Sequence, residues 1–158
     1  DIVGLLELKL KYHHKGDIKV IYSMSDTKHY IPMPEIPGEK DFNPYYMMLK
    51  MDINKPLYIC NHILCIVNYQ QDGMTSRVLQ SYEECPVSYA MLREAYLEHQ
   101  EIPCMFAYRQ CIHYVSSWIF AKRQKKKVNS LWRRKLVWMA VIPGVILNMW
   151  VCWKNRSA

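Results

Sequence analysis

Six cysteines and six histidines are the side chains in this sequence best suited to chemistry. Cys60, His62 and Cys65 fall within "CNHILC", and Cys111 and His113 within "CIH". Thiolate and imidazole are the ligands zinc prefers, normally four in a tetrahedron. The spacing, however, is not that of a CxxC knuckle. The run around Cys60 reads as a strand, in which Cys60 and His62 face one side and Cys65 the other. No metal is therefore expected, although these five residues are where one would bind. Disulfides fit no better. Cys104 and Cys111 are seven residues apart on a helical stretch, so about 10 Å apart, beyond the roughly 7 Å a bridge can span between Cα atoms. Reduced, buried thiols are the reading, and they belong in a reducing compartment.

Other chemistry finds no footing. There is no glycine-rich phosphate loop, no GxSxG elbow and no HExxH pair. Glu83, Glu84, Glu94, Glu98 and Glu101 scatter around one helix and its start, where they read as a solvated surface. No catalytic residue, cofactor or small-molecule substrate is expected, and the chain is not read as an enzyme.

Near the N-terminus, "LELKLKYHH" alternates apolar Leu6, Leu8, Leu10 and Tyr12 with polar Glu7, Lys9, Lys11 and His13. Period two predicts a half-buried strand. "KGD" supplies turn chemistry, and "IKVIYSM" reads as the returning strand of a β-hairpin. Residues 30–44 contain prolines at 32, 34, 37 and 44, which forbid a helix and deny ladder hydrogen bonds. This extended arm exposes Tyr30, Ile31, Met33, Ile36 and Phe42, which are expected to dock on neighbouring subunits and not on the chain's own body. "YYMMLKMD" is a short helix or strand, and a buried strand is expected near Leu57–Tyr69. Pro86 opens a helix over Val87–Gln100, and a second runs about Cys104–Lys122 with an apolar stripe of Cys104, Tyr108, Cys111, Val115, Trp118 and Ile119. Arg109, Gln110, His113, Ser116 and Ser117 lie off that stripe.

Charge is distributed unevenly. Residues 1–121 hold 11 Lys+Arg and 14 Asp+Glu, whereas 122–158 hold 10 Lys+Arg and no acid, consistent with the net +7. Between Lys135 and Lys154 lie eighteen uncharged residues, about 27 Å as a helix. Trp132, Trp138, Trp150 and Trp153 stand near its ends as interface anchors, with Lys122, Arg123, Lys125, Lys126, Lys127, Arg133, Arg134 and Lys135 upstream to bind lipid headgroups or phosphates. That is the pattern of a membrane span, and the positive-inside rule puts residues 1–135 on the matrix or cytosolic side. Pro143-Gly144, in mid-run, is expected to pack against a neighbouring helix. The Asn155-Arg156-Ser157 sequon that follows lies too close to the expected membrane to be glycosylated and is read as a chance tripeptide.

The expected architecture is α+β: a small body with an N-terminal β-hairpin and an αα-hairpin, plus one C-terminal transmembrane helix. Its segments are the hairpin (1–29), the arm (30–44), the body (45–121), the basic membrane-proximal segment (122–135), the span (136–153) and a short tail (154–158). Twelve tyrosines, five tryptophans and ten methionines suit interface cores. The expected function is a non-catalytic accessory subunit of a multi-subunit membrane complex. The preferred location is the mitochondrial inner membrane, in a respiratory or ATP-synthase complex, with other subunits and lipids as partners. An RNA-associated subunit such as an organellar ribosomal protein is the alternative, although the acidic body disfavours nucleic acid. A tail-anchored or viral membrane protein is the other. The first residue is Asp, which fits a removed leader and a fragment equally.

Overall fold

The computed structural model describes residues 2–14, 18–53, 55–60, 62, 63, 66, 68, 77–99, 102–131 and 134–157. The chain divides into two compact units. The first comprises Asp1–Met33 and Pro44–Gln71, the second Pro34–Asn43 and Asp72–Ala158.

In the first unit β1 (Ile2–Val3) leads into α1 (Leu5–Leu10), followed by α2 (Met24–Thr27), α3 (Tyr45–Asp52) and β2 (Leu57–Tyr58). β1 and β2 pair antiparallel, Ile2 opposite Tyr58 and Val3 opposite Leu57. The expected β-hairpin is replaced by helix α1, with the turn residues 15–17 outside the described set. Two causes are visible. Leu, Glu and Lys are strong helix formers, so propensity competes with the alternation. In addition, the carboxylate of Asp52, at the end of α3, accepts hydrogen bonds from the amides of Leu5 (2.6 Å) and Leu6 (3.3 Å). This supplies the first turn of α1 with a cap from a distant element. Adjacent Leu5 and Leu6 are both buried, with Val3, Leu49 and Met51, a pattern that a strand with one covered face does not produce. The strand expected over Leu57–Tyr69 is described only as β2, and much of its remainder lies outside the described residues.

The second unit is helical: α4 (Val78–Glu84), α5 (Pro86–Glu98), α6 (Cys104–Arg123), α7 (Lys135–Met139) and α8 (Val141–Arg156). Helices α5 and α6 coincide with the expected αα-hairpin. Arg93 of α5 donates to Gln110 of α6 across it, at 3.1 Å. The chain then returns along the hairpin. The Tyr114 hydroxyl donates to the Asn129 carbonyl and accepts from the Leu131 amide, and Arg134 donates to the Leu97 carbonyl near the end of α5, at 3.0 Å. This return makes α7–α8 run parallel to α6. Contacts advance in step along the two: Tyr108 with Met139, Val115 with Gly144, Ser116 with Asn148, Arg123 with Cys152. Ala90, Leu97, Ala107, Cys111, Tyr114, Val115, Val137 and Ala140 form the main core. Tyr82, Phe120 and Val151 form a second cluster.

Two expectations are corrected. The described residues are mostly helical, with β1 and β2 their only sheet, so the α+β assignment fails. The C-terminal transmembrane helix fails as well: among the described residues no helix is long and apolar enough to cross a membrane. The apolar run is broken at Ala140, leaving α8 with 16 residues, about 24 Å. Pro143-Gly144 does pack against a helix, and that helix is the chain's own α6. A Cβ on Gly144 would lie 2.6 Å from the Val115 Cβ and 3.0 Å from the Ile112 carbonyl. Overpacking a close-packed contact of this kind costs about 1–3 kcal/mol. Gly144→Ala is expected to lower unfolding stability by that amount in urea titration, with the slope unchanged; full stability would refute the close approach.

Candidate functional site

Two features of the second unit set it apart: an outward apolar face on α7–α8 and a buried polar cluster at the middle of α6. The face follows from helical spacing. Val137, Ala140, Gly144, Asn148 and Val151 turn inward and are buried. The opposite side carries Trp138 (65% exposed), Met139, Ile142 (74%), Val145, Ile146, Met149 (63%), Trp150 and Trp153 (62%). Residues at 142, 145–146, 149–150 and 153 recur at the helical period and share one stripe. Between Lys135 and Lys154 the only polar side chain is Asn148. It is 1% exposed and donates to the Ser116 carbonyl at 3.2 Å, which leaves the outward stripe to aliphatic, methionine and tryptophan side chains.

The expected anchors Trp138, Trp150 and Trp153 are thus on one exposed face; Trp132 lies outside the described residues. The expected lipid- or phosphate-binding cations separate into two groups. Lys122, Arg123, Lys125, Lys127, Arg134 and Lys135 are exposed, with Arg133 outside the described residues. Lys122 also sits over the Trp118 ring and Arg123 over Phe120. Lys126 is turned inward, its ammonium 3.2 Å from Glu39 and 3.4 Å from the carbonyls of Gly38 and Glu84.

Glu39 also decides the fate of the proline-rich arm. Its carboxylate, 1% exposed, accepts from the Val87 and Ser88 amides at 2.9 Å each and from the Ser88 hydroxyl at 2.6 Å. These are orphan donors of the first turn of α5, whose own flanking residue, Cys85, gives no side-chain cap. Ser81 adds a bond to Asp41. The stretch 34–43 therefore docks on its own unit, contrary to the expectation that the arm reaches only for neighbours. Ile36 and Phe42 are half-buried there beside a cleft of about 500 Å³. Tyr30, Ile31 and Met33 belong to the first unit, with Ile31 exposed.

Gln110, Ser116 and Ser117, which lie off the apolar stripe of the sequence, are buried. Helix α6 is covered by α4, α5, α7 and α8, so a single apolar stripe does not describe its buried surface. Tyr82 of α4 donates to the His113 carbonyl at 2.7 Å, and its oxygen lies 3.4 Å from His113 Nδ1. The Ser116 and Ser117 hydroxyls and Arg93 Nε are buried with no hydrogen-bond partner among the described residues. Burial, reinforced by the positive charges of Arg93 and Arg109, pushes the His113 imidazolium down to about 4, while burial pushes the Tyr82 phenol up. His113 is thus a neutral, structural imidazole at neutral pH.

The suggested metal ligands do not converge. Cys60 and His62 are exposed in the first unit, Cys65 lies outside the described residues, and Cys111 is buried in the main core of the second. Among the described residues no three His, Cys, Asp or Glu side chains gather to hold an ion. Comparison with known proteins adds no identity: no family model, curated protein or solved structure matches the chain.

Two outcomes follow from these contacts. Below pH 6.5 the unfolded chain takes up a proton at His113 that the folded chain refuses until about pH 4. Stability should therefore fall as pH drops from 6.5 to 4, by up to about 3 kcal/mol from this group. His113→Gln should flatten that part of the pH profile in urea titrations, and an unchanged slope would refute the burial argument. Glu39→Ala, which strands two amide donors and Lys126, should cost about 3 kcal/mol; a loss below about 0.5 kcal/mol would show that the surface substitution range applies instead.

Proposed function

We propose that this protein is a non-catalytic accessory subunit of a multi-subunit membrane complex, seated through the outward face of α7–α8. The observation that carries the reading is that face itself: eight large apolar side chains, from Trp138 to Trp153, exposed on helices whose opposite side is already buried. A continuous apolar strip rimmed by charge marks an interaction site, since leaving it in water forgoes the gain of burial. The first unit supports the same reading separately, with Ile2, Ile21, Tyr58, Ile63 and Ile66 each at least 72% exposed.

The mitochondrial inner membrane is the preferred location. Cys85 and Cys111 are buried and unbridged, packing as small apolar side chains, and a reducing matrix would keep them so. The orientation drawn from a spanning helix goes with that helix and forms no part of the proposal. An RNA-bound subunit is less well supported, because Lys126 pairs with Glu39 within the unit instead of facing outward.

Ile142→Asp combined with Met149→Asp tests the reading. Both residues point outward, so the fold should change by no more than about 0.5 kcal/mol. The wild-type chain should co-migrate with a larger assembly in native electrophoresis of membranes, and the double variant should run free. A wild-type chain that migrates alone, or a variant that assembles normally, overturns the proposal.

A further inference from the structure

The outward face of α7–α8 has cations at both ends. Arg134 and Lys135 stand before it, Lys154 and Arg156 after it, and all four are exposed. Because α6 runs parallel to α8, its C-terminal end comes to the same place: Arg123 donates to Cys152 Sγ at 3.2 Å. Lys122, Arg123, Lys125 and Lys127 therefore enlarge the second cationic end. No acidic residue occurs anywhere in 122–158.

We infer that this face docks the protein onto a bilayer surface containing anionic phospholipids, with α8 lying in the plane of the interface and not crossing it. The inference names the partner of the surface proposed above and rests on that reading. Three features fit a lipid occupant. The apolar stripe can enter the boundary between headgroups and acyl chains, as in-plane helices do to a depth of about 5–10 Å. Trp138, Trp150 and Trp153 all lie on that stripe, and tryptophan favours this interfacial layer, where its ring meets chains and its N–H meets headgroups. The exposed cations at the two ends are positioned for headgroup phosphates, each attracted to an anionic surface. The inward side stays with α6 through Gly144, Asn148 and Val151, so only one side of the helix is offered to lipid.

A second copy of the chain fits poorly. In an antiparallel pair Arg134 and Lys135 would face Lys154 and Arg156; in a parallel pair each cationic end would face its twin. Either way the cations of one copy meet the cations of the other, which disfavours the pair. A protein groove would have to combine an apolar floor with acidic rims at both ends, which an anionic bilayer provides everywhere along its surface.

The test uses the purified full chain with vesicles of phosphatidylcholine alone and of phosphatidylcholine mixed with phosphatidylserine. Co-sedimentation with the anionic vesicles should exceed that with the neutral ones by about tenfold or more at low salt and shrink as salt rises. Tryptophan emission should shift to the blue on binding. Ile146→Asp with Trp150→Ser should abolish binding to both vesicles, whereas Lys135→Gln, Lys154→Gln and Arg156→Gln together should weaken the anionic preference and leave binding to the neutral vesicles unchanged. Circular dichroism and thermal unfolding verify that each variant is folded. Failure to bind anionic vesicles overturns the inference. So does binding that survives the Ile146→Asp, Trp150→Ser substitutions, since the basic segment alone would then suffice. A concentration-dependent dimer in light scattering that the same substitutions dissolve also overturns it, by assigning the face to a second copy. A chain that binds no vesicle yet co-migrates with its assembly sinks this inference and leaves the subunit reading standing; vesicle binding without co-migration does the reverse.

Discussion

The missing side chain at Gly144 is the constraint on which the second unit turns. With Val115 Cβ only 2.6 Å from where a Cβ would sit, α6 and α8 approach as closely as two helices can at that point. The contact fixes the rotation of α8 about its own axis, and Asn148, bonded to the Ser116 carbonyl one turn further on, fixes it again. Once the inward residues are chosen, the outward ones follow from the helical period. The exposed apolar stripe is therefore a geometric consequence of one close packing contact, not a separate feature added to the surface.

Polar groups hold the remaining pieces in register. Glu39 joins the arm, the first turn of α5 and the return segment through one nearly inaccessible carboxylate. Asp52 does the equivalent in the first unit, capping α1 from the end of α3. In both cases an acidic side chain distant in sequence satisfies helix-terminal amides that no adjacent residue could reach. The burial of the Glu39 carboxylate is sustained by the number of donors it accepts.

Much of the helical unit was legible from the residues. Pro86 announced α5, and the apolar spacing of 104–122 placed α6 nearly to its ends. Glycine at 144 correctly signalled a close helix contact. The membrane span was misread because an apolar run bounded by cations has the same composition whether lipid surrounds it or one side is covered by protein; only the structure reveals that half of it faces α6. The period-two pattern of Leu6–Tyr12 was real, but helix propensity and the Asp52 cap outweighed it. Lys126 looked like its solvent-facing neighbours, and nothing local distinguishes the one lysine of the run that turns inward to Glu39. Gln110, Ser116 and Ser117 lie off the apolar stripe and are buried all the same, because α6 is enclosed by α4, α5, α7 and α8.

The tie between α8 and α4 bears on the Asn155-Arg156-Ser157 sequon. The Asn155 amide donates to the Glu83 carboxylate at 2.7 Å and to the Leu79 carbonyl at 3.2 Å, and Asn155 and Arg156 lie in the last turn of α8. An oligosaccharide can be transferred only to an asparagine whose side-chain nitrogen is accessible, and here that nitrogen is engaged inside the folded unit. Any sugar found at this position would have been attached before α8 settled against α4, and would afterwards prevent it from doing so.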